Sequence, residues 1–283
     1  MKYLILIIPF FLYNSLFAQK VDTTTVNFKG NKFYHITNDT NTRVLVFLHG
    51  GIKNPAFKDT SQLHKIDFLL EGNELFLDKA LKNGFDLLIP QTNDSLNWLT
   101  NYNYCFQSFS SFFSTTKKYS KKYISGFSDG GTGSYKIFYK NSQYFDGLAV
   151  FNGYPLHENF YKKVDYTKGN NKKVVFFSTT KDKVIPYEFL LTEYCKQKKS
   201  NPNTFLYIKK GRHTFLEYDL EAINFCFDVL TARATNKKTE PIHGLVVNDE
   251  VLDFYVYRKK LLRKFRYGRE YYKENQNQKK IYN

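Results

Sequence analysis

The chain has 283 residues, of which 42% are apolar and 18% aromatic, enough to bury a sizeable core in one large domain or two small ones and too many for a disordered segment. Its net charge is +16, and half of that excess lies in residues 255–283, where ten Lys and Arg side chains stand against two Glu. Nucleic acid is not the expected partner, because no recognisable nucleic-acid-binding motif accompanies the charge.

The first residues read MKYLILIIPFFLYNSLFAQK. Lys2, an apolar run over 3–13 and a small-residue stretch ending at Ala18 predict a secretory signal peptide over 1–18, and hence a secreted or periplasmic protein. The run is too short for the roughly 20 residues that span a bilayer, and no later segment is long and apolar enough. Residues 26–36 then read as a hairpin around Lys29-Gly30, and 43–51 (RVLVFLHGG) as a buried strand ending in glycines. Helical spacing runs over 61–82 and stops at Asn83-Gly84. A strand at 85–90, an aromatic helix over 101–118, a strand at 122–128 and a helix over 130–141 follow.

The alternation continues with strands at 147–153, 172–180 and 203–211 and helices over 187–198 and 215–233. Strands alternating with helices of this length predict an α/β fold, a mostly parallel sheet covered on both faces. No repeat and no Pro/Ser-rich linker divides residues 19–233, which read as one domain. Residues 234–283 form a basic, aromatic extension. Cys105, Cys195 and Cys226 are read as buried thiols, with one bridged pair as the alternative for an exported chain. No C-x-x-C occurs, so neither a metal centre nor a dithiol is expected, and no cofactor is implied.

One stretch carries chemistry. ISGFSDGG (124–131) places Ser128 between Gly126 and Gly130, directly after a strand and directly before a helix. A serine held on a sharp strand-to-helix turn needs small residues two before and two after it, because the backbones approach closely there. Such a turn lifts the hydroxyl above the sheet edge and sets it at the positive end of the helix dipole. The bland alternative is a serine in a glycine-rich loop.

Here the chain resembles the α/β-hydrolase family. HGG (49–51) ends an early strand, where that family keeps its oxyanion-hole loop, and GFSDGG supplies the elbow. Asp182 in STTKDKVIP follows the next-to-last strand, and His213 in KKGRHTFLEY follows the last one. The resemblance covers roughly 26–233 and implies a Ser128, Asp182, His213 triad with oxyanion donors at Asp129 and Gly51. Within the family the chain looks most like secreted feruloyl-esterase and polyhydroxybutyrate-depolymerase types, which also keep a Trp after the fourth strand, as Trp98 stands here. Trp98 is thus a candidate substrate contact, with a core position as its rival. His49 reads as shaping its loop rather than as a base.

What the resemblance implies is a serine esterase acting on a small or polymer-linked ester. A peptidase of the same fold and an inactive scaffold that binds an envelope polymer are the alternatives. The C-terminal bases, with Tyr255, Tyr257, Phe265 and Tyr267 among them, are expected either to dock on an anionic surface or polysaccharide, or to pack on the core.

Overall fold

The structure is a computed structural model that describes residues 21–51, 66–70, 72–91, 98, 102–116, 118–154 and 164–233. The signal peptide expected at 1–18 and the extension at 234–283 lie outside the described residues.

Eight strands form one sheet in the order β1-β2-β4-β3-β5-β6-β7-β8. They are β1 (Val21–Phe28), β2 (Asn31–Asn38), β3 (Arg43–Leu48), β4 (Phe85–Gln91), β5 (Lys121–Phe127), β6 (Gly147–Phe151), β7 (Lys173–Thr179) and β8 (Thr204–Lys209). From β4 across to β8 every pairing is parallel, while β1 and β2 run antiparallel to each other and β2 antiparallel to β4. The hairpin expected at 26–36 is longer, and its turn sits where the sequence places it. Lys29 and Gly30 both take positive φ, 51° and 80°, the backbone that matches the twist of a two-residue hairpin.

Side chains alternate across the strands and feed two cores. Val44, Val46 and Leu48 of β3 join Phe109, Phe138 and Leu190 on one face. Leu45 and Phe47 join Phe76, Ile223 and Phe227 on the other. Helices α3 (Tyr102–Thr115), α4 (Asp129–Lys140) and α5 (Tyr187–Ser200) cover the first face, and α2 (Glu74–Lys82) and α6 (Leu220–Leu230) cover the second, with the short α1 (Ile66–Leu69) beside α2. Cover on both faces explains why β6, GLAVF, is buried at every position.

Two expected helices are broken, each by a cap. The run over 61–82 divides into α1 and α2 because Gly72 turns at φ 74° and the Asn73 side chain accepts from Phe76 N. The run over 215–233 divides into a 3₁₀ turn, Phe215–Glu217, and α6, whose N-cap Asp219 accepts from Ala222 N. Asn73 also donates to the carbonyls of Phe215 (2.9 Å) and Tyr218 (3.2 Å), tying the two breaks together.

At the opposite end of the sheet from the strand C-termini, buried Asp86 accepts from Thr37 Oγ1, Asn38 N, Asn41 Nδ2, Lys118 Nζ and Tyr119 Oη at 2.6–2.9 Å. Burial alone would push this carboxyl up. The donors, Lys118 foremost, outweigh it and hold the group below the usual range. The knot ties the β1-β2 hairpin to the parallel strands.

Candidate active site

The C-terminal ends of β3, β5, β6, β7 and β8 meet at one edge, and the residues singled out in the sequence gather there. Ser128 follows β5 and caps α4 with φ 53° and ψ −120°. A non-glycine residue held at positive φ costs on the order of 1–3 kcal/mol and persists only where surrounding packing enforces it. The enforcement is visible. A Cβ on Gly126 would stand 2.4 Å from the Gly130 carbonyl, and one on Gly130 would stand 2.0 Å from Leu48 O. Ser128 N donates to Phe151 O at 2.9 Å, fixing the turn to β6.

The Ser128 hydroxyl lies 2.8 Å from His213 Nε2, and His213 Nδ1 lies 2.6 Å from Asp182 Oδ2. With Nδ1 facing a carboxylate, the proton sits on that nitrogen, and Nε2 is left to accept from Ser128. Asp182 is buried, and its second oxygen accepts from Val184 N and Ile185 N, each at 2.8 Å. His213 is partly exposed, and its ring lies 5.0 Å from that of Phe127. Three residues separated by up to 85 positions thus form one hydrogen-bonded line.

A fourth residue, which the sequence reading passes over, completes it. Asn152 follows β6, takes φ 43° and is fully buried. Its amide donates to Asp182 Oδ2 at 2.5 Å and to Thr179 Oγ1 at 3.1 Å, and its carbonyl accepts from the buried Tyr218 hydroxyl. An Asn at a strand end before Gly153 is the one signal present in the sequence, since Asn tolerates this backbone better than most residues.

The 49–51 loop runs beside the elbow. Gly51 packs against Asp129, so closely that a Cβ there would lie 2.3 Å from Asp129 Oδ2. His49 is buried and donates from Nδ1 to Gly50 O at 2.7 Å; burial lowers its pKa to about 4, so the ring is neutral. Trp98 is 2% exposed. Its indole N–H donates to His49 O at 2.9 Å, and its ring meets that of His49 edge-on. That is a core position bracing the loop, which replaces the substrate-contact reading of Trp98 with its rival.

Cys105 and Cys226 are buried and free, which removes Cys226 from any bridge, and burial pushes the Cys105 thiol up to about 12. Among the described residues there is no His/Cys/Asp/Glu group suited to a metal, and no helix long and apolar enough to cross a membrane.

No family model and no curated protein matches the chain. Solved structures do. The Pyrococcus furiosus esterase Pf2001 is 12% identical, with a TM-score of 0.56 over 76% of this chain and 93% of its own. MGS-M1, an alpha/beta hydrolase enzyme from a Medee basin deep-sea metagenome library, is 14% identical, with a TM-score of 0.56 over 75% of this chain and 99% of its own. The Pyrococcus horikoshii acylaminoacyl peptidase is 15% identical, with a TM-score of 0.55 over 82% of this chain but only 44% of its own. The chain has the α/β-hydrolase fold.

Proposed function

We propose that this protein is a serine hydrolase that cleaves carboxylic esters. The observation that carries the reading is the hydrogen-bonded line Ser128–His213–Asp182, set on an elbow whose strained serine faces the strand ends. Nε2 of His213 takes the Ser128 proton as the oxygen attacks the carbonyl carbon, and Asp182 holds the ring and stabilises its charged form. Backbone N–H groups of Asp129 and Gly51 take the tetrahedral oxyanion, where one such donor is typically worth about 3–4 kcal/mol. The proton returns through His213 to the leaving alcohol, and water then attacks the acyl-enzyme in the same way.

Several finer expectations belong to this reading. The segment at 1–18 exports the protein, the extension at 234–283 docks it on an anionic surface, and the ester resembles those of the secreted feruloyl-esterase and depolymerase types. The test is hydrolysis of 4-nitrophenyl esters beside a peptide 4-nitroanilide of similar size, by wild type and by Ser128→Ala. Ester turnover that the variant loses by about 10⁴-fold or more supports the reading. Turnover of the anilide at a comparable rate would move it to a peptidase, and a variant keeping more than about 1% of wild-type ester activity would overturn the role of Ser128.

A further inference from the structure

The loops that hold Asp182 and His213 are basic. They run side by side beyond β7 and β8: Thr180 N donates to Lys209 O at 2.9 Å, Lys181 N to Gly211 O at 2.8 Å, and Thr179 Oγ1 to Arg212 O at 2.9 Å. Lys181 and Lys183 flank Asp182 on the first loop. Lys210 and Arg212 precede His213 on the second. All four are exposed, and none forms an ion pair among the described residues, whereas neighbouring Lys209 pairs with Asp219.

The acids close by are otherwise engaged. Asp182 is turned inward to His213 and Asn152, and Glu217 accepts from the Arg212 backbone N–H at 3.0 Å, bracing the turn. On the other side of Ser128, against Gly51, stands the Asp129 carboxylate. The mouth of the site is therefore basic on its β7–β8 side.

We infer that Lys181, Lys183, Lys210 and Arg212 form a specificity rim that favours esters carrying a negative charge, a carboxylate or a phosphate, beside the scissile bond. The inference rests on the hydrolase reading above and names its substrate class. Consecutive Cα atoms are 3.8 Å apart, so Lys181, Lys183 and Arg212 stand one residue from a triad member and Lys210 three. Their side chains bring the charges within about 10 Å of an anion held there, which is about one Debye length at 0.1 M salt. A unit charge at about 8 Å in water is worth a factor of roughly two in the concentration of a monovalent anion. Four together give on the order of tenfold at low ionic strength, and salt removes most of it.

The experiment compares 4-nitrophenyl hydrogen adipate, which is anionic, with 4-nitrophenyl hexanoate, which is neutral, each normalised to its rate with hydroxide. The quantity read is the ratio of their kcat/KM values, anionic over neutral, from about 10 mM to about 500 mM salt. In wild type the ratio is expected to fall roughly tenfold across the series. In the protein carrying Lys181→Gln, Lys183→Gln, Lys210→Gln and Arg212→Gln it is expected to be low and flat, and Lys181→Glu with Lys183→Glu, which leaves two positive and two negative charges on the rim, is expected to flatten it as well. The wild-type series needs no variant to fold. A wild-type ratio constant within twofold overturns the rim and leaves the hydrolase reading standing. No turnover of either ester overturns the hydrolase reading and the rim with it.

Discussion

Asn152 is a residue whose replacement separates a working network from mere proximity. Asn152→Ala removes the amide that donates to Asp182 Oδ2 and the carbonyl that accepts from the buried Tyr218 hydroxyl. It leaves Tyr218 Oη in the core without that acceptor, a loss of about 1–3 kcal/mol. It also places alanine at φ 43°, which asparagine tolerates better, at about 1 kcal/mol. The sum predicts a loss of about 3 kcal/mol in urea unfolding. Asp182 keeps Val184 N, Ile185 N and His213 as donors, so its carboxylate is loosened rather than lost, and kcat/KM on a neutral ester is expected to drop about tenfold. Tyr218→Phe deletes the other end of the chain and is expected to cost about 1–2 kcal/mol. If the two side chains act through one another, the double variant loses at least about 1 kcal/mol less than the two single losses together. Losses additive within about 0.5 kcal/mol, with activity unchanged in both single variants, would refute the network.

Two further outcomes follow from the elbow and its neighbouring loop. Gly130→Ala drives a methyl into Leu48 O and His49 O, at 2.0 and 2.3 Å, and backbone cannot step aside as a side chain can. Thermal unfolding is expected to show a loss of about 3 kcal/mol or an insoluble product, and a loss below about 1 kcal/mol would contradict the packing account. His49 is neutral when folded, with a pKa near 4 against the ordinary 6.5. Between those values the unfolded chain binds the extra proton, so the contribution is complete above pH 6.5 and is lost as pH falls toward 4. Wild type is expected to lose about 2 kcal/mol more than His49→Asn between pH 7.5 and pH 5 in urea titrations, and parallel curves would count against it.

Much of the fold is legible in the chain because cover on both faces makes strands such as VFLHGG and GLAVF continuous apolar runs, and because glycines mark their ends. The sites of Ser128, Asp182 and His213 are legible for a related reason: each sits just past a strand, and parallel strands bring such positions to one edge. What periodicity conceals is where a run breaks. The apolar spacing carries straight across Gly72-Asn73 and Tyr218-Asp219, and only the caps Asn73 and Asp219 mark the interruptions. Asn152 and Tyr218 are hidden for another reason. Neither lies in a motif, and Asn152 meets Asp182, and Tyr218 meets Asn152, only because β6 and β7 are neighbours and the Phe215–Glu217 turn folds back over their ends. Trp98 shows the converse, where a residue that the resemblance made a candidate contact is needed to hold the 49–51 loop.

The central claim is that Ser128 is a nucleophile activated by His213, and a fluorophosphonate tests it most directly, since the reagent bonds only to an activated serine and does not depend on guessing the ester. Wild type at neutral pH is expected to gain the mass of one phosphonyl group, with the modified peptide containing Ser128, and His213→Ala is expected to slow labelling by at least about 10³-fold. Labelling of a different serine, or labelling of Ser128 at an undiminished rate in His213→Ala, would contradict it.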